Sequence, residues 1–293
     1  MKNHLLIISL LLSTYGICQS DISRIEDFGE NKGNLKMYTY IPKRLNTKKP
    51  VPLVFVLHGC TQSAEEIKNE TGWNKLADSL NFIIVYPEQK QINNAAKCFN
   101  FYIGFKAKKD KGEVASIRQM LNYSFKNYYI DSSMVFITGM SAGGGMSNAV
   151  LNAYPKLFNA GALVAAPSNL FNPNKKDVQP RIAILQGDDD KIVTPKNAMK
   201  IKEQWLKKHQ IDTANIELKK DYLNNPLLTA EYFYNTEKEV KIISITASGI
   251  RHKLLIKPGD KISEGGILNT HTQDVNFHST YWIAQFFGLT KIY

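Results

Sequence analysis

The chain has 293 residues, 43% of them hydrophobic, with 37 Lys and Arg against 26 Asp and Glu for a formal net charge of +11. That length can bury one large core. The basic residues fall in scattered pairs such as Lys48-Lys49, Lys108-Lys109 and Lys207-Lys208, never in a run interleaved with aromatics, which argues against nucleic acid and for a solvated basic surface.

Residues 1–18 read as a secretory leader: an early Lys2, the apolar run Leu5–Leu12, then small and polar residues, with Gly16 and Cys18 three and one positions before a cleavage after Cys18. The run is too short to span a bilayer, so no stable membrane span is expected. A lipoprotein signal ending at Cys18 ranks second, because Ile17 stands where a small residue is expected. Residues 19–293 then form a single catalytic domain of charge +10, with 36 basic and 26 acidic residues. Only Cys60 and Cys98 survive cleavage, an even pair in an oxidising compartment, where a disulfide is expected. No Cys or His cluster has metal-ligand spacing, and neither a metal nor a cofactor is expected.

Along the mature chain, β-rich runs alternate with helical patterns. The expected strands are Leu35–Ile41, Leu53–Leu57, Phe82–Val85, Met134–Thr138, Ala160–Ala165, Ile182–Gln186 and Lys241–Ala247. The expected helices are Trp73–Leu80, Glu113–Asn127, Ala142–Ala153, Pro195–Lys208 and His278–Phe287. Residues Leu228–Asn235 and Val240–Ala247 read as an antiparallel pair joined by TEKE. The fold class is α/β: an open, doubly wound, mostly parallel sheet with helices on both faces and an antiparallel edge at its start. Such sheets gather active sites at the carboxyl ends of their strands.

One such end carries VFITGMSAGGGMSNAV, residues 135–150, a serine set among glycines. Glycine costs entropy wherever it is ordered, so this density needs a geometric cause. A glycine turn whose serine caps the next helix is one reading. The strand before and the helix after favour the other, a nucleophile elbow that lifts Ser141 above the sheet edge. A serine nucleophile needs an imidazole and an acid that orients it. In this architecture the acid and base follow the serine in chain order. The acid is expected in QGDDDKIV, where Asp190 is favoured over Asp188 and Asp189 because the chain turns back directly after it. The base is expected at His252, shortly after the strand IISITA; His209, His271 and His278 read as surface, loop and helix-start residues. His58 closes LVFVLHG and fits an oxyanion loop better than a base. The amides of Ala142 and Cys60 are the expected oxyanion donors.

With these pieces placed, the chain resembles the secreted poly(3-hydroxybutyrate) depolymerase and feruloyl/acetylxylan esterase group of α/β-hydrolases. The resemblance runs through LHGCTQ, YPEQ, CFNFY, KGEVASIRQML, the serine elbow, ILQGDDDKIVTPKN, SGIRH and DVNFHSTYWIAQFFGL, from about Pro52 to Leu289. It implies Ser141 as nucleophile, Asp190 as orienter and His252 as base, and that Cys60 can pair with Cys98. The sequence departs from the group at Phe99 and Phe101, where relatives often carry tryptophan, and at Arg251, where a small residue usually precedes the histidine. Phe99, Phe101 and Tyr102 are expected to line the acyl or alcohol side of the cleft, with at least one of the phenylalanines packed in the core. The expected partner is an ester substrate, with short 3-hydroxybutyrate oligomers or short-chain esters ahead of a feruloyl or acetylxylan ester on plant polysaccharide. A peptidase of the same fold and a non-catalytic glycan-binding protein rank lower.

Overall fold

The computed structural model describes residues 21–104, 107–169, 179–213 and 216–290. The expected leader at 1–18 lies outside them. In chain order the strands of the main sheet are β1 (Ser23–Ile25), β2 (Lys36–Tyr40), β3 (Val51–Leu57), β4 (Ile83–Glu88), β5 (Ile130–Met140), β6 (Ala160–Val164), β7 (Arg181–Gly187), β8 (Ile216–Lys219), β9 (Leu228–Tyr234) and β10 (Val240–Ala247). A separate parallel pair joins β11 (Leu254–Ile256) to β12 (Thr272–Asp274). The helices are α1 (Ala64–Thr71), α2 (Trp73–Leu80), α3 (Gly112–Asn127), α4 (Ala142–Ala153), α5 (Lys196–His209) and α6 (Ser279–Phe287).

The spatial order is β1-β2-β4-β3-β5-β6-β7-β10-β9-β8. Strands β4, β3, β5, β6, β7 and β10 run parallel, so their carboxyl ends share one edge. Both margins are antiparallel, β1 and β2 on one side and β9 and β8 on the other.

Period-two alternation along the central strands splits the core into two layers. Val54 and Val56 of β3, Ile84 and Tyr86 of β4 and Phe136 of β5 face α1, α2 and α6. Leu53, Phe55, Leu57, Ile83, Val85, Val135 and Ile137 face α3, α4 and α5. Trp73 and Phe287 anchor the first layer and Trp205 the second, all fully buried. At roughly 1.5–3 kcal/mol per large side chain removed from water, these layers dominate what holds the sheet edge in place.

Candidate active site

Ser141 follows the last residue of β5 and precedes the first of α4, with φ 54° and ψ −124°. A non-glycine residue at positive φ is strained and persists only where its surroundings enforce it. Here the Ser141 amide donates to Val164 O at 2.9 Å and its carbonyl accepts from the Gly145 amide at 2.9 Å. The glycines around it are close-approach points. A Cβ at Gly143 would collide with the carbonyls of Leu57 and His58, one at Gly139 with the Gly143 backbone, and one at Gly145 would lie 2.8 Å from the Phe101 ring. The helix can therefore start against β3 and leave Ser141 at the sheet edge.

The end of β3 supplies the neighbouring loop. A Cβ added at Gly59 would stand 3.4 Å from Ser141 Cβ, so His58-Gly59-Cys60 lies beside the serine. His58 is fully buried, and burial pushes its pKa down to about 4. The Gln89 amide donates to His58 Nε2 at 3.0 Å, which places the ring proton on Nδ1, 2.6 Å from Gly59 O. Both ring nitrogens are thus spent on backbone, and His58 shapes the loop, as its position in the sequence indicated. The amides on either side of Cys60 are committed, Gly59 N–H to Gln62 Oε1 at 2.6 Å and Thr61 N–H to Ala96 O at 2.6 Å. Ala142 is the first helical residue of α4.

Acid and base arrive from the ends of β7 and β10. Asp190 is 1% exposed. Its Oδ1 accepts from the amides of Ile192 at 2.9 Å and Val193 at 2.8 Å, and Oδ2 accepts from Gln186 Nε2 at 3.2 Å. Oδ2 also lies 2.6 Å from His252 Nδ1. A carboxylate oxygen accepts, so Nδ1 carries the proton and Nε2 of the neutral ring is left as the acceptor. The two loops are stitched together by their backbones: Asp188 N–H donates to Ala247 O and Asp189 N–H to Ile250 O, both at 3.0 Å. Gly187 permits this, since a Cβ there would collide with Ile250 O. Asp189 instead pairs with Lys191 at 2.7 Å in solvent, and Asp188 accepts from the Gly249 amide at 2.6 Å. The Arg251 side chain is 74% exposed and 3.7 Å from Asp189.

Cys60 and Cys98 form a disulfide. It ties the loop after β3 to the aromatic segment at 98–102. Phe99 is fully buried against the His58 ring, at 4.9 Å between centroids, so of the three expected cleft aromatics this one belongs to the core. Phe101 is half-buried over Gly145 and meets Tyr102 edge-on at 5.2 Å, and Tyr102 is 60% exposed. Sequence reasoning did not find the buried Glu113, which accepts from the Asn100 amide at 2.8 Å, Asn100 Nδ2 at 2.6 Å and Gln89 Nε2 at 2.7 Å, fixing the aromatic segment to α3. Among the described residues no group of three or more His, Cys, Asp or Glu could hold a metal ion, and no helix is long and apolar enough to cross a membrane.

A mostly parallel sheet whose strand ends deliver a serine elbow and, from two later loops, an acid beside a histidine has the α/β-hydrolase fold. Residues 35–171 match the family model described as Esterase PHB depolymerase. The chain is 29% identical over 298 residues to Poly(3-hydroxyalkanoate) depolymerase C of Paucimonas lemoignei, covering 92% of this chain and 70% of that protein. Feruloyl esterase B of Neurospora crassa is 29% identical over 230 residues, covering 67% and 77% of the two chains. Acetylxylan esterase A of Aspergillus oryzae is 32% identical over 154 residues, covering 51% and 48%. The solved structure of an acetyl xylan esterase from Aspergillus awamori superposes with a TM-score of 0.72 at 20% identity, over 92% of this chain and 100% of that one, a likeness of fold. The chain is a carboxylic-ester hydrolase, a relative of the PHB depolymerase, feruloyl esterase and acetylxylan esterase group.

Proposed function

We propose that residues 19–293 form one secreted catalytic domain, exported by the leader at 1–18, that hydrolyses carboxylic esters through a Ser141–His252–Asp190 triad and an acyl-enzyme. The observation that carries the reading is the 2.6 Å contact between Asp190 and His252 Nδ1, with Ser141 on a strained turn at the same sheet edge. His252 Nε2 takes the Ser141 hydroxyl proton as Oγ attacks the ester carbonyl. The amides of Cys60 and Ala142 receive the developing oxyanion. Collapse expels the alcohol, which leaves with the proton from His252, and water then repeats the cycle on the acyl-enzyme to free the acid.

For substrate, Phe101 and the exposed Tyr102 offer an aromatic wall beside the elbow. The depolymerase relative aligns over 92% of this chain, against 67% for the feruloyl esterase, which favours short 3-hydroxybutyrate oligomers and short-chain acyl esters over a ferulate. Two measurements test this. Ser141→Ala should abolish turnover of p-nitrophenyl butyrate with the circular dichroism spectrum unchanged; near wild-type activity would remove Ser141 from the mechanism. Comparing a 3-hydroxybutyrate trimer with methyl ferulate tests the substrate, and a strong preference for the ferulate would reverse that choice while leaving the triad in place.

A further inference from the structure

We propose that Gln62 and Glu70, buried behind the loop after β3, are positioning residues that hold the Cys60 amide on the developing oxyanion; the inference rests on the oxyanion role proposed for Cys60. A peptide unit is planar and trans, so the Cys60 N–H points opposite to the Gly59 carbonyl. That carbonyl accepts from His58 Nδ1 at 2.6 Å. The preceding peptide is held from the other side, because the Gly59 amide donates to Gln62 Oε1 at 2.6 Å. Gly59 joins the two planes, and glycine alone would let them turn about its soft dihedrals. Removing either anchor frees the donor to swing.

Gln62 could present either end of its amide to Gly59; Glu70 decides which. Gln62 is 1% and Glu70 3% exposed, so neither trades partners with water. Glu70 Oε2 accepts from Gln62 Nε2. Its Oε1 accepts from Asn269 Nδ2 at 2.7 Å and from His271 Nδ1 at 2.9 Å. A carboxylate only accepts, so Gln62 must turn its NH2 to Glu70 and its oxygen to Gly59. The set links α1 to the segment before β12, about 200 residues away in sequence, and its hydrogen bonds run to one another and to Gly59 rather than to Ser141 or His252.

Gln62→Leu should lower kcat roughly 10–100-fold, less than deletion of an oxyanion donor, while KM changes less than about twofold. Inhibition by a trifluoromethyl ketone, which binds as a tetrahedral oxyanion adduct, should weaken by the factor lost in kcat/KM. Gln62→Glu sets two carboxylates together and should lose at least as much. The double variant Gln62→Glu/Glu70→Gln restores an acceptor for every donor: residue 62 accepts from Gly59 and from the new amide, whose oxygen accepts from Asn269 and His271. It should recover at least tenfold over Gln62→Glu. Unchanged kcat in Gln62→Leu, or a double variant no better than Gln62→Glu, would overturn the proposal. Labelling the wild-type protein with a fluorophosphonate separates the two readings. Failure to label Ser141 removes the serine mechanism itself, whereas labelling of Ser141 together with normal turnover by Gln62→Leu removes only the positioning role.

Discussion

The two sides of the candidate site, its walls, are fastened differently. On the side of β3 and α3, the loop bearing Cys60 is held by a disulfide, by the doubly bonded His58 and by the buried carboxylates Glu70 and Glu113. On the side of β7 and β10, Asp190 is held by turn amides two and three residues on, and its neighbours Asp189, Lys191 and Arg251 stand in solvent. The difference suits the roles proposed for the two sides. Oxyanion donors work only if they are aimed before charge develops, so their scaffold must not relax. An imidazole needs one partner that fixes its tautomer and its plane.

The largest effect should come from that one partner. Asp190→Asn should cut kcat by about 10³–10⁴, since an amide leaves the imidazole free to take the wrong tautomer. Asp189→Asn, a change at an exposed surface pair, should stay within about threefold of wild type. Equal losses at the two positions would erase the contrast between the buried acid and its solvated neighbours. The opposite wall is tested by removing its cross-link. Cys60→Ser/Cys98→Ser opens a closure spanning 38 positions, worth about 4 kcal/mol in the chain-entropy model and roughly 10 °C in Tm. Activity at 25 °C should fall further than in a variant destabilised equally on the β8 edge, because the loop that carries the Cys60 amide is loosened.

Acid should also attack the first wall. Burial pushes His58 down to about 4, whereas in the unfolded chain it titrates near 6.5. The unfolded state therefore takes the proton first as pH falls, and the stability from burying neutral His58 is full above about 6.5 and is lost toward pH 4, on the order of 3 kcal/mol. His209 and His278, also lowered to about 4 by burial, act with the same sign. Urea midpoints should drop between pH 7 and 4.5; a flat profile would show these rings are not buried neutral. The smallest effect belongs to Tyr102→Ala, expected to raise KM for a 3-hydroxybutyrate trimer a few-fold and to leave p-nitrophenyl acetate nearly unchanged.

Most of the sheet was legible because its strands and helices repeat at periods of 2 and 3.6, and the antiparallel margins followed from the chain's first segments and the TEKE turn. Helix α1 is absent from the expected helices although its start is written in the sequence as Ser-x-x-Glu: the Glu66 amide donates to the Ser63 hydroxyl at 3.2 Å, and that hydroxyl donates to the Glu66 carboxylate at 2.7 Å. Strand β8 was invisible because Ile216, Glu217 and Leu218 are all exposed and carry no inside-outside pattern. Strands β11 and β12 are three residues each and pair across a 15-residue gap. Of the candidate site, the sequence singles out Ser141 by its glycine elbow, Asp190 by the turn that follows three aspartates and His252 by its place after a strand. Local pattern could not show that Phe99 is the one that turns fully inward while Phe101 stays half-buried over Gly145, nor that Glu70 meets His271 through the fold, since that bond joins residues 201 positions apart.

Gly187 gives the second wall a tolerance set by an atom that is not there. The loop carrying His252 rests its Ile250 carbonyl where a side chain at position 187 would begin, so the gap between acid and base is the thickness of bare backbone. A single methyl would act as a wedge, prying the β10 loop from the β7 loop and lengthening the Asp190–His252 contact without touching either residue. The alignment of the acid with the imidazole it would orient is in that sense a machining allowance held by a residue with no side chain.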